Sequence, residues 1–287
     1  MRKKTPRRID LEDVKSKVGD LPSLPEAVTH VLRIMDDPSS NATDVTNIVV
    51  RDAGTAAKVL RLVNSAYFGL ASKVSDIKHA VTLLGFKELR TLLLAAGSFG
   101  LLSKLGGEQK GFQEIWKHSA TVAMLARRIV ARRLELDQET AFATGLFHDA
   151  GKLALFGYMP IMYRKIVAEA KKQSISFFEA EKLCMDTNHA EIGQWMAGAW
   201  RLSPSVVAAI GLHHDAVNAP NEPYALVCEF ANYICWLKGI NGPGNFGQRT
   251  LDLALWKNFG LASDDLDALA AIADIESEFA EIIAQGG

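Results

Sequence analysis

Residues 138–152, QETAFATGLFHDAGK, decide how this chain is read. A helical pattern from Gln138 runs into an adjacent histidine and aspartate, His148 and Asp149, and then into Ala150-Gly151-Lys152. Such a pair is unusual in an ordinary core, because both groups need partners once they leave water. At a helix end both side chains project where neighbouring helices can meet them, and Gly151 is expected to let the chain turn sharply there. Imidazole and carboxylate together form a ligand set for Zn, Fe, Mn or Ni.

Outward from this pair the pattern repeats. His118, His148, His189, His213 and His214 are five of the seven histidines, and all lie in segments that otherwise read as core-forming helices. Glu114 and His118 are four apart, so one helix face carries both. His189 follows Asn188, which is expected to cap a helix with Glu191 as the reciprocal member of a capping box. His213-His214-Asp215 ends the helix that Ser203-Pro204 opens. Each position alone reads as a helix-terminal or core residue. Together they predict that helix ends gather imidazoles and carboxylates around one shared cavity. A divalent cation held there lowers the pKa of bound water to about 7 and polarises a phosphoryl oxygen, and two cations bridged by Asp149 would clamp attacking and leaving oxygens. Lys152 reads either as a compact cation that neutralises phosphate charge or as an ordinary solvated lysine.

Nearly every segment has a 3.6-residue apolar period and almost none alternates convincingly over strand length, which predicts an all-α fold. The first part reads as a bundle of about five short helices. One opens at Ser23-Leu24-Pro25-Glu26 and carries Val28, Val31, Leu32 and Met35; others begin near Thr43 and Thr55, and two more cover 76–83 and 86–97. Gly100, Gly106, Gly107 and Gly111 predict a loose connection around 100–111. The expected division is a basic flexible tail and lead-in over 1–17, an N-terminal subdomain over 18–105 and a second helical subdomain over 106–287. In the second, helices are predicted over 112–134, 138–148, 160–173, 176–184, after Asn188, up to His214 and over 223–238. A glycine-rich turn spans 239–247, and Ser263 is expected to cap a final acidic amphipathic helix that could pack on a second copy.

With 287 residues, 48% of them hydrophobic and 23% charged, the chain has the profile of a folded globular protein. Cys184, Cys228 and Cys235 suit buried packing in a reducing compartment. No signal-peptide pattern or apolar run near membrane length is present, so the expected location is cytoplasmic and no membrane span is expected. A net charge of −1 gives no reason to expect DNA binding. Arg2, Lys3, Lys4, Arg7 and Arg8 form a basic tail, read as solvated or as a contact for an acidic partner or membrane surface.

With these residues in place, the chain resembles the HDOD family, relatives of the HD and HD-GYP phosphohydrolases, over roughly residues 18–240. The first half carries Leu21-Pro22-Ser23-Leu24-Pro25, Asp52, Leu60-Arg61-Leu62-Val63-Asn64-Ser65-Ala66, Ile77, Ala80, Leu84-Gly85 and Leu89. In the second half, His118 matches the first histidine of the HD pattern, His148-Asp149 its pair, His189 the next histidine and His213-His214 the double histidine. Glu114 sits where HD-GYP enzymes place an extra carboxylate ligand. The resemblance therefore implies an N-terminal bundle packed on an HD-type helical core. It implies metal ligands at Glu114, His118, His148, Asp149, His189, His213 and His214, with Asp149 and Lys152 as the catalytic groups if the site is active. The closing aspartate of active hydrolases falls here on Asn232, and Gly157-Tyr158-Met159-Pro160 does not stand as a glycine-tyrosine-proline signature. The family is regarded as regulatory output modules of bacterial signalling. The implied function is a signal-transduction module with a non-catalytic pocket for a divalent transition metal (Fe, Mn, Zn or Ni) or a ligand, working with a signalling protein partner. The alternative is a metal-dependent phosphohydrolase acting on nucleotides or cyclic dinucleotides. Asn64, Ser65 and Lys58 form the candidate partner surface, with a capping and turn-forming role as the other reading of Asn64 and Ser65.

Overall fold

In the computed structural model, residues 8–24, 26, 28–30, 42–51, 53–106, 110–131, 135–219 and 221–286 are described. The basic tail before Arg8, Pro25, the stretch 31–41 with most of the helix expected there, and Asp52 lie outside these residues. The described residues are α-helical with two short 3-10 turns and contain no strand. The periodicity was a sufficient guide because a 3.6-residue apolar stripe cannot be buried by an extended chain.

The first helices are α1 (Leu11–Val18), α2 (Ala42–Arg51), α3 (Ala53–Val63), α4 (Ile77–Leu84) and α5 (Phe86–Gly106). Asp76 caps α4 by accepting from the His79 N–H, and Gly85 at φ 82° ends it, a conformation that favours glycine. α5 continues through Gly100 to Gly106, well into the stretch expected to be a loose connection. α6 (Lys110–Val130) follows, then α7 (Gln138–Phe147), α8 (Ala150–Tyr158), α9 (Pro160–Gln173), α10 (Phe177–Cys184), α11 (His189–Ala199), α12 (Pro204–Leu212) and α13 (Pro223–Leu237). α14 (Leu253–Asn258) and α15 (Ser263–Gly286) complete the chain.

α6 is the organising element. One of its faces, with Phe112, Ile115, Trp116 and Ala123, joins the main core, which runs from α1 through α12 and includes Leu62, Leu92, Phe147 and Ile210. An adjoining face toward its C-terminal end, with Val122, Leu125, Ala126 and Ile129, joins a second core built with Val227, Phe230, Ile234 and Trp256. α7 packs on α6, α12 and α13 and is buried at Glu139 and from Ala141 to Phe147. The crossing of α6 and α7 is close because residue 145 is glycine: a Cβ there would lie 2.6 Å from the Ala123 Cα. Within this core the guanidinium of Arg90 on α5 pairs with the carboxylate of Glu139 on α7.

α15, for which packing on a second copy was one option, lies along α6 and reaches α3 and α5 of its own chain. Tyr67 stacks on Phe279 with ring centroids 3.9 Å apart, and its hydroxyl donates to Glu276 Oε2 at 2.9 Å. The Trp116 indole N–H donates to the Ala280 carbonyl. Ser263 is the first residue of this helix rather than its cap; the Asp265 carboxylate accepts from the Ala262 N–H. The three cysteines are free and buried. Among the described residues no helix is long and apolar enough to cross a membrane.

Candidate metal centre

The histidines sit where chain direction changes, which is how separate helices deliver them to one point. α7 ends at Phe147, His148 is its C-cap, and Asp149 is the N-cap of α8. His189 is the first residue of α11, placed by Asn188, whose side chain accepts from the Ala190 and Glu191 N–H groups. Glu191 is not the reciprocal half of a capping box; its carboxylate accepts from the side chains of Asn188 and Thr187. His213 is the C-cap of α12, His214 follows it, and His118 projects from the middle of α6.

Gly151 has a different role from the expected turn. It lies inside α8, where a Cβ would sit 2.1 Å from the His189 carbonyl oxygen. The missing side chain lets α8 and α11 touch backbone to backbone, and this brings Asp149 and His189 together. The signal is the same glycine, but the physical requirement is close approach rather than a backbone dihedral.

The resulting centre is closed. His118, His148, Asp149, His189 and His213 expose no surface, and Lys152 is 2% exposed. Asp149 is the hub: its Oδ2 lies 3.7 Å from His118 Nε2, 3.5 Å from His148 Nε2 and 2.8 Å from Lys152 Nζ. Its Oδ1 faces the other side, 3.3 Å from His189 Nε2 and 4.0 Å from His213 Nε2. The ligand atoms of His118, His148 and Asp149 lie within 4.8 Å of one another, as do those of His189, His213 and His214. Lys152 is therefore not a solvated lysine; its ammonium is committed to Asp149 and lies over the Phe177 ring.

Glu114 is not brought in. It is partly exposed, its carboxylate is 3.9 Å from Lys110 Nζ, and it belongs to neither trio. One helical turn before His118 on a solvent-edge face, it meets water before it can meet the centre. Asn232 is buried on α13, the helix that packs on α6 and α7. Asn64 is occupied internally: its amide donates to the carbonyls of Leu60 and Val74 and accepts from the Val74 N–H at 2.7 Å, which ties the loop after α3 to that helix.

Tautomers follow from the partners, since a carbonyl oxygen can only accept. The Nδ1–H groups of His118, His148 and His213 donate to the carbonyls of Ile240, Gly145 and Ile210, each at 2.7 Å. Their Nε2 atoms are left as lone pairs aimed inward. His118 Nε2, His148 Nε2 and Asp149 Oδ1 have no hydrogen-bond partner. His189 Nε2 lies 3.3 Å from His213 Nε2 and 2.9 Å from His214 Nε2, so at least one contact brings two lone pairs together.

Burial pushes His118 and His213 down to about 4 and His148, His189 and His214 well below the usual imidazole range, so all five are neutral near pH 7. Burial opposes ionisation of Asp149, but the facing His148 and the Lys152 ammonium outweigh it and hold the carboxyl well below its usual range. Neutral imidazoles and an ionised carboxylate are the forms that ligate a metal.

Two features escaped the sequence reading. Glu181 on α10 is fully buried; its Oε2 accepts from the His189 Nδ1–H at 2.6 Å and its Oε1 from the His189 backbone N–H at 2.9 Å. A signal was present: Phe177, Ala180, Glu181 and Cys184 share one face of α10, so a carboxylate stands on an apolar stripe. Burial pushes this carboxyl well above its usual range, against the lowering effect of Lys152 and the His189 N–H. The second is Phe178, stacked on His214 at 4.3 Å with Lys182 Nζ 4.2 Å from its ring centre. Nothing in the periodicity distinguishes Phe178 from an ordinary surface aromatic.

Residues 21–216 match the model of the HDOD domain, and the chain belongs to this family. A curated protein of Treponema pallidum, described as uncharacterized, is 27% identical over 241 residues, covering 79% of this chain and 46% of its own length. The chain thus spans about half the length of that relative. An HDOD domain protein of unknown function from Geobacter sulfurreducens has the same fold, with a TM-score of 0.79 at 24% identity over 96% of this chain and 95% of its own. A Shewanella amazonensis protein described as a candidate phosphohydrolase gives 0.72 at 25% identity over 95% and 97%. One from Marinobacter aquaeolei, described as a candidate signal transduction protein, gives 0.79 at 19% identity over 99% and 64%.

Proposed function

We propose that this chain is a signal-transduction module whose HD-like centre binds a divalent transition metal and serves binding rather than turnover. The observation that carries the reading is the cluster of inward lone pairs on buried imidazoles and Asp149, several of them without a hydrogen-bond donor. A buried polar atom left unpaired costs about 1–3 kcal/mol, and several at one point favour a cation in their midst. A donor set of five imidazoles and one carboxylate suits first-row transition metals rather than Mg or Ca. His118, His148 and Asp149 would hold one face of the ion site, and His189, His213 and His214 the other. A cation bound there supplies Lewis acidity and fixed positive charge.

The chain's own residues argue for binding over turnover. Lys152 is closed off from solvent and its ammonium is committed to Asp149 Oδ2, so it is not free for a phosphoryl group. Asn232 stands where the resemblance places the last anionic ligand, which leaves a neutral amide on the buried face of α13. The module would act on a signalling protein, with a nucleotide-type molecule as the alternative ligand. Protein loaded with Mn, Fe or Zn should retain metal and show no turnover of generic phosphodiester and nucleotide substrates; turnover lost on chelation would contradict the reading.

The Shewanella protein's description as a candidate phosphohydrolase favours a second reading, in which this centre hydrolyses a phosphoester with the help of its metal. Metal-dependent turnover by the wild type separates the two, and Asn232→Asp reports on the ancestry of the centre. Restored hydrolysis would mark a centre that lost activity with this one carboxylate, and no gain with metal retained keeps the binding role.

A further inference from the structure

We propose that Glu181 is the positioning residue that makes His189 a metal ligand, and that it sets the affinity of the His189–His213–His214 face separately from the face built on His118, His148 and Asp149. The proposal rests on the metal-binding reading above and goes beyond it, because no family motif quoted for this chain includes Glu181.

The geometry is specific. Three imidazoles of the centre are oriented by backbone carbonyls of Ile240, Gly145 and Ile210. His189 alone among the described ligands donates its Nδ1–H to a carboxylate. A carboxylate behind a ligating imidazole fixes its tautomer and raises its basicity, and removing such a partner costs about 10–100-fold in metal affinity. Glu181 also accepts from the His189 backbone N–H, so one carboxylate fixes both the ring and the start of α11. Each donor meets its own oxygen of the carboxylate. Its face of α10 is anchored by Phe177, Ala180 and Cys184, all buried, so the carboxylate cannot swing away without opening the core.

The same helix covers this face from outside. Phe178 stacks on His214, the one partly exposed histidine of the set, and Lys182 lies over Phe178. α10 therefore supplies the orienting carboxylate and the cover of the all-imidazole face, and supplies no ligand to the other.

Glu181→Gln is the telling substitution because it keeps shape. The two donors meet different oxygens of the carboxylate, so the amide sets its NH2 against one of them, and an NH2 turned toward Nδ1 would force the His189 proton onto Nε2, the ligating atom. Zn2+ titration against a chromophoric chelator should show binding to the His189 face weakened about 10–100-fold, with binding to the other face unchanged and the melting temperature of the metal-free protein close to wild type. Unchanged affinity at both faces would overturn the proposal, as would equal loss at both faces with a collapsed melting temperature. Should the variant not fold, long-range 1H–15N NMR of the metal-free wild type decides: the proton of His189 is expected on Nδ1, and finding it on Nε2 overturns the proposal. Wild-type protein that binds no metal at all would instead remove the metal-binding reading, while the NMR result would still report on Glu181.

Discussion

At the scale of single residues, the centre is held by groups kept in charge states that their burial selects. The metal-free protein should therefore be acid-sensitive in a defined window. His118 and His213 titrate at about 4 in the folded chain and at about 6.5 unfolded. The unfolded chain thus binds more protons between these values, and stability rises with pH there. The contribution is complete above about 6.5 and is lost as pH falls toward about 4, on the order of 3 kcal/mol for each histidine before coupling. Thermal melts from pH 7 to 5 should show a falling midpoint, at least as steep with metal as without it because a bound cation keeps protons off the folded imidazoles; a flat profile would refute the buried neutral assignment. Much of this scale was legible in the sequence, because four histidines at or beside helix ends and a fifth on an apolar helix face are an abnormal distribution whatever their neighbours do. Glu114 was misread since four-residue spacing says which face a side chain shares, not how deep that face lies. Glu181 was missed because its partner is eight residues away across a turn, beyond the reach of a helical pattern.

At the scale of elements, the close contact between α8 and α11 is what converts separate helix ends into one centre. Gly151→Ala would place a methyl group against the His189 carbonyl and should cost about 1–3 kcal/mol in urea unfolding, together with reduced metal content as the helices part. Wild-type stability and loading would show that the contact relaxes freely. Helix existence and most boundaries followed from periodicity and capping residues: α9 and α10 begin and end within a residue or so of their expected limits. The glycines around 100–111 misled because Gly100 and Gly106 tolerate helical dihedrals, and the apolar surface of α5 gains more by continuing the helix than by stopping it. Sequence spacing alone carries no record of that tertiary gain.

At the scale of the whole molecule, the C-terminal helix fastens the first helices to the core that presents the site. Phe279 is 1% exposed and packs on Tyr67 and Phe68, so Phe279→Ala should cost about 3–5 kcal/mol. The loss should appear as one cooperative transition by circular dichroism and tryptophan fluorescence together; separate transitions would mean that the two parts fold independently. The direction in which α15 folds back was not legible, since an acidic amphipathic helix serves equally against its own chain or another. The central claim is that five helix-borne imidazoles and Asp149 form one metal-binding centre, and elemental analysis of protein purified without chelator tests it most directly. The wild type is predicted to carry stoichiometric transition metal and the His148→Ala, Asp149→Ala double variant to lose it while staying folded; equal metal content in the two proteins would contradict the account.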